Sequence, residues 1–133
     1  MTISRPVKAQ AASETDQALA FSRHLVEVIE RSLDDDKAED PVVIDLSGKS
    51  SIADFMVIAS GRSARQVGSM ADHLQQKLKA AGVGRLSVEG LQRSDWVLID
   101  AGDVIIHLFR PEVRSFYNLE RMWAFGDGSA GAA

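Results

Sequence analysis

Residues 96–109 have the sequence WVLIDAGDVIIHLF, in which two apolar runs meet at the pair Ala101-Gly102. Short apolar runs joined by a glycine-containing pair predict a β-hairpin. Folding about that pair predicts three cross-strand pairs: Trp96 with His107, Leu98 with Ile105, and Asp100 with Asp103. The stretch therefore predicts two neighbouring strands of a sheet.

Successive side chains of a strand point to opposite faces of the sheet, so the hairpin residues fall into two sets. One face carries Trp96, Leu98, Ile105, His107 and Phe109. The other face carries Val97, Ile99, Val104, Ile106 and Leu108. Both faces are apolar. Strand statistics favour a central hairpin covered by helices on both sides, and the alternative is that one face binds a partner.

The composition is that of one soluble domain: 133 residues, 45% hydrophobic and 26% charged. The absence of cysteine excludes disulfides, thiol nucleophiles and thiolate metal sites. The three histidines, His24, His73 and His107, are far apart in sequence, so we expect no metal and no cofactor. No apolar run has the length of a membrane span and no signal-peptide core is present, which predicts a cytoplasmic location and no membrane partner.

The net charge of −4 disfavours a protein that binds nucleic acid mainly by neutralising phosphates. An acidic surface instead suits a basic protein partner. Composition also divides the chain. Residues 1–13 predict a disordered leader, residues 14–125 a folded domain, and residues 126–133 a flexible tail rich in glycine and alanine.

Hydrophobic periodicity predicts a first helix that begins at Ser13 or Thr15 and ends at the acidic run 34–36. Its predicted buried stripe consists of Ala18, Phe21, Leu25, Val28, Ile29 and Leu33. A second helix begins at a capping box formed by Ser63 and Gln66 and stops at Gly82. Pro111 ends the last strand, and two short helical pieces are predicted near 112–116 and 119–124.

Strands are predicted at 42–46, 55–59 and 86–89, in addition to the hairpin. The predicted order is thus helix, strand, strand, helix, three strands, helix. This order indicates an α/β protein with a mixed sheet of about five strands and flanking helices.

Several blocks of sequence carry a resemblance to a known family, over nearly the whole predicted domain. They are KAED at 37–40, DL at 45–46, SSIADF at 50–55, IASGRSARQ at 58–66, VEGL at 88–91, WVLID at 96–100, GDV at 102–104, HLF at 107–109, RSFY at 114–117 and LERMW at 119–123. In this order they resemble the Iojap-related ribosomal silencing factors.

The resemblance implies a nucleotidyltransferase-like fold that has lost its catalysis. It also implies binding to the large ribosomal subunit through that subunit's protein fourteen, on the surface that meets the small subunit. Such binding would block subunit association and repress translation under nutrient limitation. The family is further associated with homodimers, and little direct contact with nucleic acid is expected.

Given this role, the Trp96 face of the hairpin is the predicted partner-binding surface. Trp96 is the expected anchor, because a buried indole at an interface can contribute ~2 kcal/mol or more, although a purely core role is the alternative. Leu98 and Phe109 would extend the apolar centre. Acidic residues would form a rim toward a basic partner, namely Glu89, Asp100 and Asp103.

Three further residues complete the predicted surface. Gly90 permits close approach of backbone to backbone. His107 would hydrogen-bond a partner or an acid such as Asp54 or Asp100, although a structural role is favoured for a lone strand histidine. Tyr117 would contact the partner or a second copy of the chain.

Two alternatives remain open from the residues alone. An active nucleotidyltransferase would hold a phosphate at the helix start 61–63, but it needs paired carboxylates for magnesium. Asp45 and Asp54 stand singly, so no catalytic residue is predicted. A homodimeric interaction module with a non-ribosomal partner would bury the same apolar face against a second copy.

Overall fold

The structure, a computed structural model, describes residues 4–113, with side chains described from residue 15 onward. Its elements are α1 (Ser4–Asp35), β1 (Glu39–Asp45), β2 (Phe55–Ser60), α2 (Ala64–Ala80), β3 (Ser87–Glu89), β4 (Trp96–Asp100) and β5 (Val104–Phe109). Within these residues the five strands form one sheet in the order β1-β2-β5-β4-β3. The pair β2–β5 at its centre is parallel and the other pairs are antiparallel. The predicted mixed α/β sheet with flanking helices is confirmed.

The two helices of the described region pack on one face of the sheet and enclose the main core. Apolar side chains of α1 and α2 meet the Val97 face of the hairpin and the alternate residues of β2. Members of this core are Leu25, Ile29, Leu33, Val67, Met70, Leu74, Leu78, Val57, Val97, Ile99, Val104, Ile106 and Leu108. The predicted division of the hairpin into two faces is therefore confirmed.

The buried stripe of α1 differs from the predicted one. Leu25, Ile29 and Leu33 are buried as expected, but Phe21 is 42% exposed and Ala18 is exposed. Two serines occupy the stripe instead, Ser22 and Ser32. Hydrophobic periodicity missed them because a serine counts as polar. Ser22 is accommodated because its hydroxyl donates to the carbonyl of Ala18 at 3.1 Å and to the carboxylate of Asp54 at 3.1 Å.

The capping box at the start of α2 is present, with one difference in its partners. The hydroxyl of Ser63 accepts from the amide of Gln66 at 3.1 Å, as predicted. The side-chain oxygen of Gln66 accepts from the amide of Arg62, one residue before the cap, at 2.7 Å. Its Nε2 donates to the carbonyl of Asp36 at 3.1 Å, so this cap also ties α2 to the end of α1.

The register of the hairpin is not the predicted one. Trp96 lies opposite Phe109, Leu98 opposite His107 and Asp100 opposite Ile105. The turn is centred on Gly102-Asp103, because the amide of Ala101 donates to the carbonyl of Val104 and Gly102 has φ +93°. Glycine thus takes the first turn position, where a positive φ is required in type II′ hairpins. Moving the turn by one residue changes every partner by two, which preserves the faces.

Several sequence expectations have a different outcome. Helix α1 begins at Ser4 rather than at Ser13 or Thr15, and β1 begins at Glu39 and contains Pro41 beside an irregularity in its pairing with β2.

The division into leader, domain and tail stays a prediction. The predicted helical pieces after Pro111 lie largely outside the described residues. No helix of the described region is long and apolar enough to cross a membrane.

Candidate functional site

A small aromatic cluster lies on the face of the sheet opposite the two described helices. Trp96 of β4 and Phe109 of β5 are direct cross-strand partners, and their rings lie 4.9 Å apart between centroids at an angle of 42°. His107 stacks nearly parallel on Phe109, with 5.8 Å between centroids. Tilted and offset ring pairs of this kind are favourable beyond the area that they bury. The position of Trp96 is thus set by the hairpin.

The polar edge of Trp96 is satisfied within the chain. Its indole Nε1 donates to Nδ1 of His107 at 3.0 Å, across a diagonal of the β4–β5 pair. An indole nitrogen can only donate, so Nδ1 of His107 is the acceptor and the neutral ring carries its proton on Nε2. Burial lowers the pKa of His107 to about 4. The predicted partners Asp54 and Asp100 are not bonded to this ring, and the predicted structural role of His107 fits its contact with Trp96.

The aromatic cluster rests on a second, smaller core. Its buried members are Leu46, Met56, Ile58 and Phe109, with Ile44, Trp96 and Val113 packed against them. Phe109 is fully buried, so it supports Trp96 from beneath rather than reaching the surface. Trp96 and Leu98 are half-buried and have exposed area. Of the predicted apolar contacts, these two are the ones that remain accessible among the residues described.

A concavity of about 290 Å³ lies beside Trp96 on this face. Its walls are mostly apolar, and at one edge stands the exposed carboxylate of Asp100. The lining residues are Leu46, Ile52, Met56, Trp96, Leu98, Asp100, Ile105 and His107. Ile52, from the β1–β2 loop, is 62% exposed. Sequence reasoning did not select Ile52, although an isolated isoleucine in a serine-rich turn is the signal by which it can be found.

The predicted acidic rim is present only in part. Glu89 of β3 lies opposite Leu98 and is exposed, which places it on the same face as Trp96. Asp100 lies on this face too, and one of its oxygens accepts from the amide of Gly102 at 2.9 Å. Asp103 instead lines a different concavity, together with Asp54. The structure therefore brings two of the three predicted acids beside Trp96.

The backbone before β4 is tightly folded around Gly90. At Gly90 φ is +89°, and a Cβ there would collide with the carbonyl oxygen of Trp96. The carbonyl of Gly90 accepts from the amide of Ser94 at 2.8 Å, and the hydroxyl of Ser94 donates to the carbonyl of Leu91 at 2.7 Å. The close approach predicted for Gly90 thus occurs within the chain, where it positions the start of β4.

A larger concavity, of about 790 Å³, lies on the other side of Trp96. Its lining combines the apolar surface of Trp96 and Val113 with three charged side chains, those of Arg93, Asp95 and Glu112. Nε of Arg110 lies 3.2 Å from Asp95, and its terminal nitrogen lies 3.7 Å from Glu112. Because these charges are mutually paired, the apolar concavity is the better candidate for a partner.

The groups that a nucleotidyltransferase would need are committed to other contacts. The carboxylate of Asp45 accepts from the amide and the hydroxyl of Ser47, and these bonds hold its pKa below the ordinary value. Asp54 accepts from Ser22, and the amide of Arg62 is bound by Gln66. Among the described residues, no group of three His, Asp or Glu side chains is placed to hold a metal ion.

One predicted contact, Tyr117, lies outside the described residues. The remaining predicted residues all belong to the Trp96 face, its support or its neighbouring loop, apart from Asp103. The described arrangement brings together one half-exposed tryptophan, an apolar concavity and two exposed carboxylates, groups that suit contact with a partner.

Comparison with known proteins gives concordant matches. A family model described as "Ribosomal silencing factor during starvation" matches residues 20–131. The chain is similar to "Ribosomal silencing factor RsfS" of Zymomonas mobilis, with 64% identity over 105 residues, 79% of each chain. It is 32% identical over 101 residues to "Mitochondrial assembly of ribosomal large subunit protein 1" of Mus musculus, covering 74% of this chain and 44% of that one. A crystal structure of a Chromobacterium violaceum protein superposes with a TM-score of 0.73 at 38% identity, covering 76% of this chain and 84% of the other.

Proposed function

The chain belongs to the ribosomal silencing factor family, and we propose that it binds the large ribosomal subunit through that subunit's protein fourteen. Bound there, it blocks association with the small subunit and represses translation when nutrients are limiting. The family is regulatory, so the proposed action is occupation of a surface and involves no catalytic step. The similar protein from Zymomonas mobilis is bacterial, which supports action in the bacterial cytoplasm.

The observation that carries this proposal is the Trp96 face, where a half-exposed indole borders an apolar concavity and two exposed carboxylates. Large aromatic side chains that are held in place dominate the energetics of protein interfaces. Trp96 is held in place by Phe109 and His107. The carboxylates of Glu89 and Asp100 favour a basic protein over the phosphates of ribosomal RNA.

The names of similar proteins support the choice of subunit. The mouse relative is named for assembly of the ribosomal large subunit, and the relative from Zymomonas mobilis is named for silencing of ribosomes. Both names are consistent with binding to the large subunit, and prevention of subunit joining is the means of silencing that we propose.

Co-sedimentation of the purified protein with isolated large and small subunits tests the proposal, together with an assay of subunit joining. We expect binding to the large subunit alone and inhibition of joining. Both effects should weaken in Trp96→Ala, with circular dichroism used to establish that the variant is folded. The matched control is Phe21→Ala, which removes an exposed aromatic ring from α1. Absence of binding to the large subunit, or wild-type binding by folded Trp96→Ala, would contradict the proposal.

A homodimer that uses the Trp96 face is the second candidate. Ile52 is 62% exposed and lies on the same face as the half-exposed Trp96. This apolar patch favours a homodimer, because a self-complementary patch suits a two-fold interface. Size measurements on the wild type and on Trp96→Glu separate the two candidates. A change from dimer to monomer with binding to the large subunit retained would assign this face to self-association.

A further inference from the structure

The apolar concavity beside Trp96 has the dimensions of a site for a side chain rather than for a cofactor. Its volume of about 290 Å³ is just below the range of roughly 300–1,000 Å³ that small-molecule sites occupy. The walls formed by Ile52, Leu98 and Ile105 offer apolar contact and no hydrogen bond from their side chains. The shape therefore suits an aliphatic side chain presented by another protein.

His107 lines this concavity, and one of its two ring nitrogens has no hydrogen-bond partner among the described residues. His107 is 8% exposed, and its Nδ1 accepts from the indole of Trp96. The proton of the neutral ring is consequently on Nε2, and no described residue accepts a hydrogen bond from that nitrogen. Nε2 is not among the enclosed unpartnered atoms of the described residues, so this donor reaches solvent and can bond a ligand that brings an acceptor, such as a peptide carbonyl.

The charge at the edge of the concavity restricts the ligand further. Asp100 uses one carboxylate oxygen for the amide of Gly102 and has the other available. Glu89 lies on the same face beside Leu98. Among the described residues, no basic side chain lines this concavity. A cationic neighbour is therefore favoured and a phosphate is disfavoured.

From these three features we propose that the concavity receives an aliphatic side chain of a protein partner that is followed by a lysine or arginine. The basic group pairs with Asp100, and a carbonyl of the segment accepts from Nε2 of His107. The inference rests on the proposed function in one respect, since it identifies the partner segment as part of protein fourteen of the large subunit. The chemistry of the segment is argued from this chain alone.

Binding to large subunits tests the location of the site. Ile52→Asp places a charge in the concavity at a position that is 62% exposed, so it leaves the fold intact. We expect at least a tenfold loss of affinity for this variant and none for Phe21→Asp, the control on α1. Equal affinity of wild type and Ile52→Asp would overturn the inference while leaving the proposed function in place.

Titration with capped dipeptides tests the chemistry independently of the ribosome. The probes are acetyl-Leu-Arg-amide, acetyl-Leu-Glu-amide and acetyl-Gly-Arg-amide, and the readout is the amide NMR signals of Ile52, Leu98 and Ile105. We expect a saturable shift with the Leu-Arg probe, at least tenfold weaker binding of the Leu-Glu probe, and no shift with the Gly-Arg probe. His107→Gln, which keeps a donor, should retain the binding, and His107→Phe should weaken it severalfold.

Two results of the titration would overturn the inference, even if the wild type fails to bind large subunits. The first is the absence of a saturable shift, or equal binding of the Arg and Glu probes. The second is a shift of the same signals with protein concentration and without peptide, which would identify a second copy of the chain as the occupant.

Discussion

The indole Nε1 of Trp96 donates to Nδ1 of His107 at 3.0 Å, on the face of the sheet opposite the two described helices. This bond fixes the tautomer of the histidine and the orientation of the indole together. Because the indole N–H is satisfied within the chain, any contact of a partner with Trp96 is made through the apolar ring surface. The same bond links the stability of the fold to the geometry of the proposed binding surface.

Removal of the donor should therefore destabilise the fold. Trp96→Phe keeps an aromatic ring and leaves Nδ1 of His107 without its partner, and we expect a loss of about 1–3 kcal/mol in the free energy of unfolding. Urea denaturation measures the loss. The nitrogen chemical shifts of His107 should change as well, and unchanged shifts would show that the bond does not exist in solution.

The low pKa of His107 predicts a pH dependence of stability. Burial lowers this pKa to about 4 in the folded chain, whereas in the unfolded chain it returns to about 6.5. Between these two values the unfolded state binds more protons, so stability falls as the pH is lowered from about 6.5 to about 4. The loss at the lower limit is about 3 kcal/mol, from a difference of ~2.5 pKa units at ~1.36 kcal/mol each. His107→Gln removes this contribution, and the difference between the two unfolding curves across that pH range measures it; parallel curves would contradict the prediction.

Gly90 and Gly48 form a matched pair for testing the loop before β4. Both have a positive φ, +89° and +77°, but a Cβ at Gly48 has no atom within 4 Å. Gly48→Ala should lower the free energy of unfolding by about 1–2 kcal/mol, from conformational strain alone. Gly90→Ala adds a collision with the carbonyl of Trp96 and should cost about 3 kcal/mol or more, or prevent folding. Equal unfolding midpoints in urea would show that the backbone approach at Gly90 is looser than described.

The cap of α2 gives a further prediction. Ser63→Ala removes the acceptor for the amide of Gln66 and should cost about 1 kcal/mol. Gln66→Ala should cost at least as much, because it removes the bond to Arg62 and the link to Asp36. Ser69→Ala, at an exposed position within the same helix, is the control and should be close to neutral. Thermal unfolding measures all three, and a neutral Ser63→Ala would contradict the assignment of the cap.

The hairpin illustrates what could be predicted from the sequence. Its two faces follow from alternation alone, and they were predicted correctly because alternation survives a shift of two residues in pairing. The register depends on which residue takes the positive φ of the turn, and both Ala101-Gly102 and Gly102-Asp103 contain the same glycine. The observed turn, centred on Gly102-Asp103, is accompanied by a contact between distant segments. The carbonyl of Asp103 accepts from the amides of Asp54 and Phe55. Local sequence does not contain that information.

The candidate site was predictable to a similar degree. Trp96 and Leu98 were found because they are apolar residues on one face of a strand. Ile52 was missed because it reaches the concavity from the distant β1–β2 loop. The hydrogen bond between Trp96 and His107 was missed although the predicted and the observed registers both bring these residues together, because a carboxylate was expected as the partner of the histidine. The alternation of side chains along a strand predicts which face of the sheet a residue occupies. The pairing of the strands then determines which residues on that face are in contact.

The parallel pairing of β2 with β5 has a consequence for how the chain folds during synthesis. β2 is buried along its whole length, and its inner neighbour is β5, which is translated after α2, β3 and β4. Until β5 emerges from the ribosome, the apolar strand FMVIAS has an unpaired inner edge, the kind of segment that aggregates. Completion of the sheet also requires closure of a long loop, which slows folding. Nascent chains are therefore most vulnerable in the interval between the synthesis of residue 60 and the arrival of residue 109, and delayed elongation within that interval should lower the yield of folded protein.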